Sequence, residues 1–331
     1  MKSNRATFLG SVAGASAAVA AAPVFAATFD DVMSATRGMT LTTLRDGTRD
    51  HLGIRTPKGI VDVSLAAATL GIIDAPPTLD DLVQGHGNPA SLRKIADSAP
   101  ASAIRSESSV QYGPLVSRPP KIICVGLNYR AHIAETGEKT PPYPDLFNKY
   151  NTTLNRHNGT IAVSQLPAKS FDYESELTFI VGKRGSNISE VDALKYVYGY
   201  AAGNDFTARD AQQRVSQWMT GKTPDQFAPL GPWLVTADQI PDPQTLQVQT
   251  FVNDETTPRQ DMNTSQMIFS VAHIIAYTSS FITLEPGDLI FTGTPSGVIT
   301  GYPKDKQVWL KPGDKVRTVI SKLGELHFTL V

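Results

Sequence analysis

The chain has 331 residues, with 30 basic and 31 acidic side chains, a formal charge of −1, and 41% hydrophobic against 18% charged residues. That balance describes a globular chain with a sizeable core, and its near-neutral charge excludes a basic nucleic-acid-binding surface as the main theme. A single cysteine, Cys124, excludes an internal disulfide framework and a thiolate zinc cluster, and the six histidines contain no H-x-x-x-H pair of a zinc-protease helix.

Lys2 and Arg5 precede an Ala-rich stretch from Phe8 to Ala22, followed by Pro23-Val24-Phe25-Ala26. A basic start, a short apolar segment and small residues at its end predict a signal peptide over residues 1–27, cleaved after Ala26 or Ala27. The stretch falls short of the ~20 apolar residues that span a bilayer. Arg5-Ala6-Thr7-Phe8-Leu9 is similar to a twin-arginine signal with Ala6 in the place of the second arginine. The expectation is an exported, periplasmic protein, free of the membrane after processing. The alternative is a cytoplasmic protein with a disordered N-terminal tail.

Residues 28–117 read as a small N-terminal α+β domain and its linker. Thr40 to Leu44, His51 to Ile54 and Gly59 to Val63 are short alternating runs separated by turn residues, which predicts a meander. Ser64 to Leu70 and Leu79 to Val83 read as short helices. From Asp97 to Lys121 the chain is rich in Ser, Pro and Ala, the composition of a connector.

Residues 118–331 mix strands and helices without the regular alternation of a doubly wound sheet, so an α+β or β-roll core is expected. Ile122 to Val125, Glu176 to Val181 and Trp233 to Val235 read as strands. Ser189 to Tyr200 reads as a helix capped by Ser189, and Thr207 as the cap of a second running towards Trp218. Apolar residues at helical spacing predict a third, from about Ser265 to Phe281. Glu285-Pro286-Gly287-Asp288 and Lys311-Pro312-Gly313-Asp314 each prepare a tight turn before a strand.

Glu174 and Glu176 are two apart at the head of a strand and so aim their carboxylates the same way. Alone, such a pair is a solvated strand end. Convergence with a third carboxylate, Asp205, would make a hard-oxygen site for Mg²⁺ or Mn²⁺. His132 and Glu135 would share one face of a helix at i, i+3, where a carboxylate can orient a histidine base, although a surface ion pair has the same spacing. Gly221-Lys222-Thr223 lacks the upstream glycine of a P-loop, since Ser216 stands there, and no G-x-S-x-G elbow supports a serine hydrolase.

Taken in order, Cys124-Val125-Gly126-Leu127-Asn128-Tyr129 with His132, Asp172-Tyr173-Glu174-Ser175-Glu176-Leu177, Asn204 to Asp210, Leu230 to Trp233 and Leu284 to Asp288 leading into Thr292-Gly293-Thr294-Pro295 resemble the fumarylacetoacetate hydrolase family, in its two-domain bacterial branch. The resemblance implies a mixed β-sheet roll, usually a homodimer, with a small accessory domain ahead of it. It also implies that Glu174, Glu176 and Asp205 hold Mg²⁺ or Mn²⁺, and that His132 and Glu135 form a base dyad on a lid. Lys222 would then stand beside the metal, with Arg209, Gln212 and Thr294 contacting substrate.

These implications fit a 2-oxo acid substrate whose carboxylate and keto oxygens fill the open metal positions. Hydrolysis of a C–C bond in an acylpyruvate, of the kind met in aromatic catabolism, is the favoured expectation. Decarboxylation of oxaloacetate and isomerisation of a hydroxymuconate-type diacid use the same enolate, and fold-level analogy does not choose among the three. A non-catalytic binding protein on the same fold is the reading from a different class; the presence of His132, Glu135 and Lys222 weighs against it.

Overall fold

A computed structural model describes residues 27–331. The signal peptide expected over 1–27 lies, apart from Ala27, outside the described residues. Among the described residues no helix is long and apolar enough to cross a membrane.

Two large sheets organise an α+β fold, the class expected. The larger has ten strands, in the spatial order Ile104–Arg105, Gly59–Asp62, Arg49–Thr56, Thr40–Asp46, Leu234–Thr236, Val197–Asn204, Ser175–Val181, Leu289–Phe291, Ile122–Gly126 and Asp145–Lys149. Neighbours are antiparallel except Leu289–Phe291, which runs parallel to Ile122–Gly126. The second sheet has five strands, Gln260–Asn263, Gln247–Val252, Lys315–Ile320, Gly324–Leu330 and Gly159–Ile161. The N-terminal meander enters the larger sheet through Thr40 and Leu41, which pair with Val235 and Leu234. The Ser- and Pro-rich connector is built in as well: Ile104–Arg105 adds a strand beside Gly59–Asp62, and Leu115 and Val116 are buried.

The central strands are buried on both faces, so side chains alternate between two cores. Ile122, Cys124 and Ile180 face a core closed by N-terminal residues such as Val32, Ala66, Leu79 and Ile95. Ile123, Val125, Leu177 and Phe179 face the other, covered by Val271, Ile274 and Ile275 of the helix Val271–Phe281. A third cluster, around Phe171, Tyr173, Phe206 and Phe227, packs against Phe328 of the second sheet.

Three expected helices are corrected. Ser189 to Tyr200 is not a helix: a 3-10 turn at Ala193–Tyr196 leads into the strand Val197–Asn204. The capping pair does form, with Ser189 Oγ donating to Asp192 Oδ2 at 2.7 Å, but it closes only a turn. Every residue of Val197–Asn204 is buried, and the strand pairs along Ser175–Val181 on one side and through Gly199 and Tyr200 with Thr236 and Val235 on the other; this tertiary gain overrides the local signal. Gly199 permits the approach, because a Cβ there would lie 2.6 Å from the carbonyl oxygen of Val235. Thr207 caps no helix either. Its hydroxyl donates to the Asp205 carbonyl at 2.8 Å and Thr207–Ala208 pairs with Phe171–Asp172, leaving two short helices at Arg209–Gln212 and Met219–Lys222. The third helix starts only at Val271, with Ser270 as its cap; before it lies a 3-10 turn at Thr264–Gln266, and Asn128 ties down the chain between by accepting from the N–H groups of Ile268 and Phe269.

Candidate active site

Glu174 and Glu176 bracket the first residue of Ser175–Val181, and Asp205 directly follows its antiparallel neighbour Val197–Asn204. The register pairs Ser175 with Asn204, and the Asp205 N–H donates to the Glu174 carbonyl at 2.9 Å. Asp205 thus stands at the end of a strand. One carboxylate oxygen from each of the three residues lies within 4.8 Å of the others, and all three side chains are buried.

Three buried cations surround the cluster. Lys222 Nζ donates to Glu174 Oε2 and to Asp205 Oδ2, both at 2.6 Å. Lys149, unforeseen in the sequence, donates to Asp205 Oδ1. Arg209 Nη2 lies 2.7 Å from Glu174 Oε1, an ion contact whose N–H bonds are not aligned on the oxygen, so that nitrogen retains donor capacity. Arg209 also donates through Nε to Asp172 Oδ2 at 2.9 Å and through Nη1 to Gln212 Oε1 at 3.2 Å. Gln212 keeps its amide N–H groups for another acceptor.

The electrostatics are uneven. Burial works against ionisation of Glu174, but Lys222 and Arg209 outweigh it and hold that carboxyl low, at about 2. Burial likewise opposes the charge on Lys222, and Asp205 and Glu174 outweigh it, so the ammonium is held up. Glu176 goes the other way. Burial, then the like charges of Asp205 and Glu174, push it well above the ordinary carboxylate range. Glu176 accepts the Gly293 N–H at 2.7 Å and has no lysine or arginine in contact among the described residues. Counting Asp172, four buried carboxylates face three buried cations. Three clustered hard-oxygen donors with one negative charge in excess fit a divalent ion of the Mg²⁺ or Mn²⁺ type.

His132 and Glu135 lie on the helix Arg130–Thr136, as their spacing predicted. Glu135 Oε1 sits 2.8 Å from His132 Nδ1, while Oε2 accepts the Gly297 N–H at 2.8 Å. A carboxylate held at both oxygens fixes the ring with Nδ1 as donor, which leaves Nε2 as the basic nitrogen. Thr294 donates to the Ser175 carbonyl at 3.1 Å and accepts from Gln260 at 2.8 Å.

One cavity of about 560 Å³ is lined by all nine candidates: His132, Glu135, Glu174, Glu176, Asp205, Arg209, Gln212, Lys222 and Thr294. Its volume suits a small metabolite. Residues 136–144 and 148–158, which follow the dyad in sequence, contribute little to the walls. From those stretches only Thr136 and Glu138 reach the cavity, and Trp218, Tyr302, Lys304 and Gln307 supply much of the rest. Leu154–Asn155 is instead committed to a ladder with Ala228–Pro229. Neither the Lys149 ammonium nor the Asp172 carboxylate has a site partner nearby in sequence: their partners are 56 and 37 residues away.

The chain is similar to known proteins in sequence and in fold. The family described as fumarylacetoacetate (FAA) hydrolase C-terminal matches residues 121–331. The mitochondrial oxaloacetate tautomerase fahd2 of Xenopus laevis is 41% identical over 230 residues, 69% of this chain and 70% of that protein. Oxaloacetate tautomerase YisK of Bacillus subtilis (strain 168) is 37% identical over 278 residues, 81% of this chain and 91% of that one. Among solved structures, fumarylacetoacetate hydrolase from Exiguobacterium antarcticum superposes with a TM-score of 0.71 at 30% identity, covering 88% of this chain and 99% of the other.

Proposed function

The chain belongs to the fumarylacetoacetate hydrolase family, and from that premise we propose that it is a divalent-metal-dependent enzyme that interconverts the enol and keto forms of a short 2-oxo dicarboxylic acid of the oxaloacetate class. The observation that carries this reading is the shared cavity, in which a clamped His132–Glu135 pair faces the cluster of Glu174, Glu176 and Asp205. The names of the Xenopus and Bacillus relatives support the substrate class.

Glu174, Glu176 and Asp205 would hold Mg²⁺ or Mn²⁺, which would supply Lewis-acid stabilisation of negative charge on the keto oxygen. With such an ion held there, the four buried carboxylates and three buried cations would together carry one net positive charge, which suits a dianionic substrate. The protein's own residues do the rest. His132 Nε2 takes or returns the proton on the carbon beside the keto group, and Glu135 keeps the ring in the tautomer that leaves this nitrogen free. The Lys222 ammonium adds positive charge near the reacting oxygen. The unaligned N–H of Arg209 and the free amide of Gln212 offer donors to a substrate carboxylate.

The test is the decay of the enol absorbance of oxaloacetate with Mg²⁺ or Mn²⁺. Purified protein is expected to accelerate ketonisation, and a rate equal to the buffer rate overturns the reading.

A second reading, hydrolysis of the C–C bond of an acylpyruvate, is favoured by the two-point clamp on Glu135, which would equally orient His132 as a base towards water. The name of the Exiguobacterium structure supports it. Consumption of fumarylpyruvate or a simple acylpyruvate separates the two. The proposal extends to a homodimer, tested by sedimentation. It extends also to export, on the strength of the segment from Lys2 to Ala27. A mature chain beginning near Ala27 or Thr28 supports export, and an intact Met1 on protein from the native cell removes it.

A further inference from the structure

We propose that Asp172 is a positioning residue that ties Arg209 to the platform on which the His132–Glu135 dyad rests. This inference builds on the proton-transfer role given above to His132.

Asp172 is fully buried and accepts three hydrogen bonds from two separate parts of the cavity wall. Arg209 Nε and the Thr300 N–H donate to Oδ2 at 2.9 and 3.0 Å, and the Ile299 N–H donates to Oδ1 at 2.9 Å. Ile299–Gly301 is a single 3-10 turn with no side-chain cap from its own neighbours. Its leading N–H groups are satisfied by a carboxylate 127 positions earlier in the chain. The adjacent Tyr173 holds the preceding loop, its hydroxyl donating to the Gly297 carbonyl at 2.8 Å. Residues 172 and 173 therefore pin 297–300 at two points.

This pinned segment is what Glu135 touches. Gly297 donates its N–H to Glu135 Oε2, and a Cβ added to Gly301 would lie 2.5 Å from the Glu135 carboxyl carbon. The connection thus runs from Arg209 through Asp172 to the turn, from the turn to Glu135, and from Glu135 to His132 Nδ1. Only an ionised carboxylate can accept from a guanidinium and two amides at once, because an asparagine would turn two donors towards some of them.

The test compares Asp172→Asn and Gly301→Ala with the wild-type full chain. Two readouts are taken: amide hydrogen exchange, and kcat and KM for enol-oxaloacetate with Mn²⁺. Losing charge-assisted bonds should speed exchange in Asp172→Asn by roughly tenfold or more, both in 297–301 and in the helix 130–136, while the strand 175–181 stays protected. Its KM should rise as Arg209 loosens, and its kcat should fall on the order of 10- to 100-fold as the base is displaced. Gly301→Ala displaces Glu135 without touching Asp172 or Arg209, so kcat should fall with KM held within about twofold, and exchange should rise in 130–136.

Unchanged exchange in 130–136 of Asp172→Asn overturns the proposal. So does equal loosening of 175–181, which would mean plain loss of structure. Should Asp172→Asn fail to fold, Gly301→Ala decides: wild-type kcat and wild-type exchange in 130–136 overturn the connection. A wild-type protein inert towards oxaloacetate removes the functional reading alone, since the exchange comparison needs no turnover.

Discussion

Oε2 of Glu176 takes its hydrogen bond from the amide of Gly293, at 2.7 Å, while Glu174 one turn of the pleat earlier is paired with two cations. The two carboxylates of one E-x-E motif therefore have opposite energetics. Glu176 is a buried acid waiting for positive charge, and Glu174 is already compensated. Glu176→Gln should leave the metal-free protein within about 1 kcal/mol of wild type, since the carboxyl it replaces is driven towards its neutral form and makes no ion pair. Glu174→Gln should destabilise the metal-free protein by roughly 2–3 kcal/mol, because Lys222 and Arg209 lose a partner. Both should weaken Mn²⁺ binding. Urea unfolding after chelation, beside Mn²⁺ titration, checks this. A Glu176→Gln protein destabilised as much as Glu174→Gln would show the asymmetry to be wrong.

Metal removal gives the second expectation. The donors are carboxylate oxygens with no sulfur or imidazole in the cluster, so excess EDTA should abolish turnover, and Mg²⁺ or Mn²⁺ should restore it. Full turnover in excess EDTA would exclude a metal role for Glu174, Glu176 and Asp205.

His157 supplies a pH dependence away from the site. Its ring is edge-on to Tyr112 at 5.0 Å and to His327 at 5.3 Å, and its Nδ1 accepts the His327 N–H at 3.3 Å. Burial, then the neighbouring His327, lower it from 6.5 to about 4. The unfolded chain takes up this proton near pH 6.5 and the folded one only near 4. The contribution to stability is therefore complete above about pH 6.5 and is lost as pH falls towards 4. It amounts to about 1–3 kcal/mol, discounted for partial exposure. His157→Phe should remove that part of the slope. Urea midpoints at pH 7, 5.5 and 4.5 test it, and a wild-type-minus-variant difference that is constant with pH would refute it.

What was legible in the sequence follows from where the deciding contacts lie. The meander Thr40–Asp46, Arg49–Thr56, Gly59–Asp62 could be read because alternation and turn residues are local signals. The dyad could be read because i, i+3 on a helix brings His132 to Glu135. Val197–Asn204 could not, because Ser189 and Asp192 form the expected local bond while the residues beyond them are drawn into the middle of a sheet. Lys149 ends an edge strand whose other residues are exposed or half-buried, and nothing nearby announces that its ammonium turns inward to Asp205. Asp172 stands in the same motif as Glu174 and Glu176, but its three donors come from Arg209 and from residues 299 and 300, far along the chain.

The last prediction separates the base from the metal ligands. Glu174→Ala takes away one of three clustered carboxylates, so metal affinity and turnover should fall together. His132→Ala leaves those oxygens untouched and removes a proton acceptor, so Mn²⁺ affinity should stay near wild type. General base catalysis contributes typically ~10²–10⁴-fold, and kcat for enol–keto conversion should drop within about that range. Decarboxylation of a chelated 2-oxo acid needs no proton taken from carbon and no activated water, since the electrons of the breaking bond flow to the keto oxygen. Any side decarboxylation of oxaloacetate should therefore survive His132→Ala far better than tautomerisation does, and far better than acylpyruvate cleavage if that is the reaction. Rates of all three reactions measured on one preparation, with Mn²⁺ binding measured beside them, make the comparison. Equal losses in every reaction, or a His132→Ala protein that no longer binds Mn²⁺, would show that the histidine and the carboxylates do not divide the work in this way.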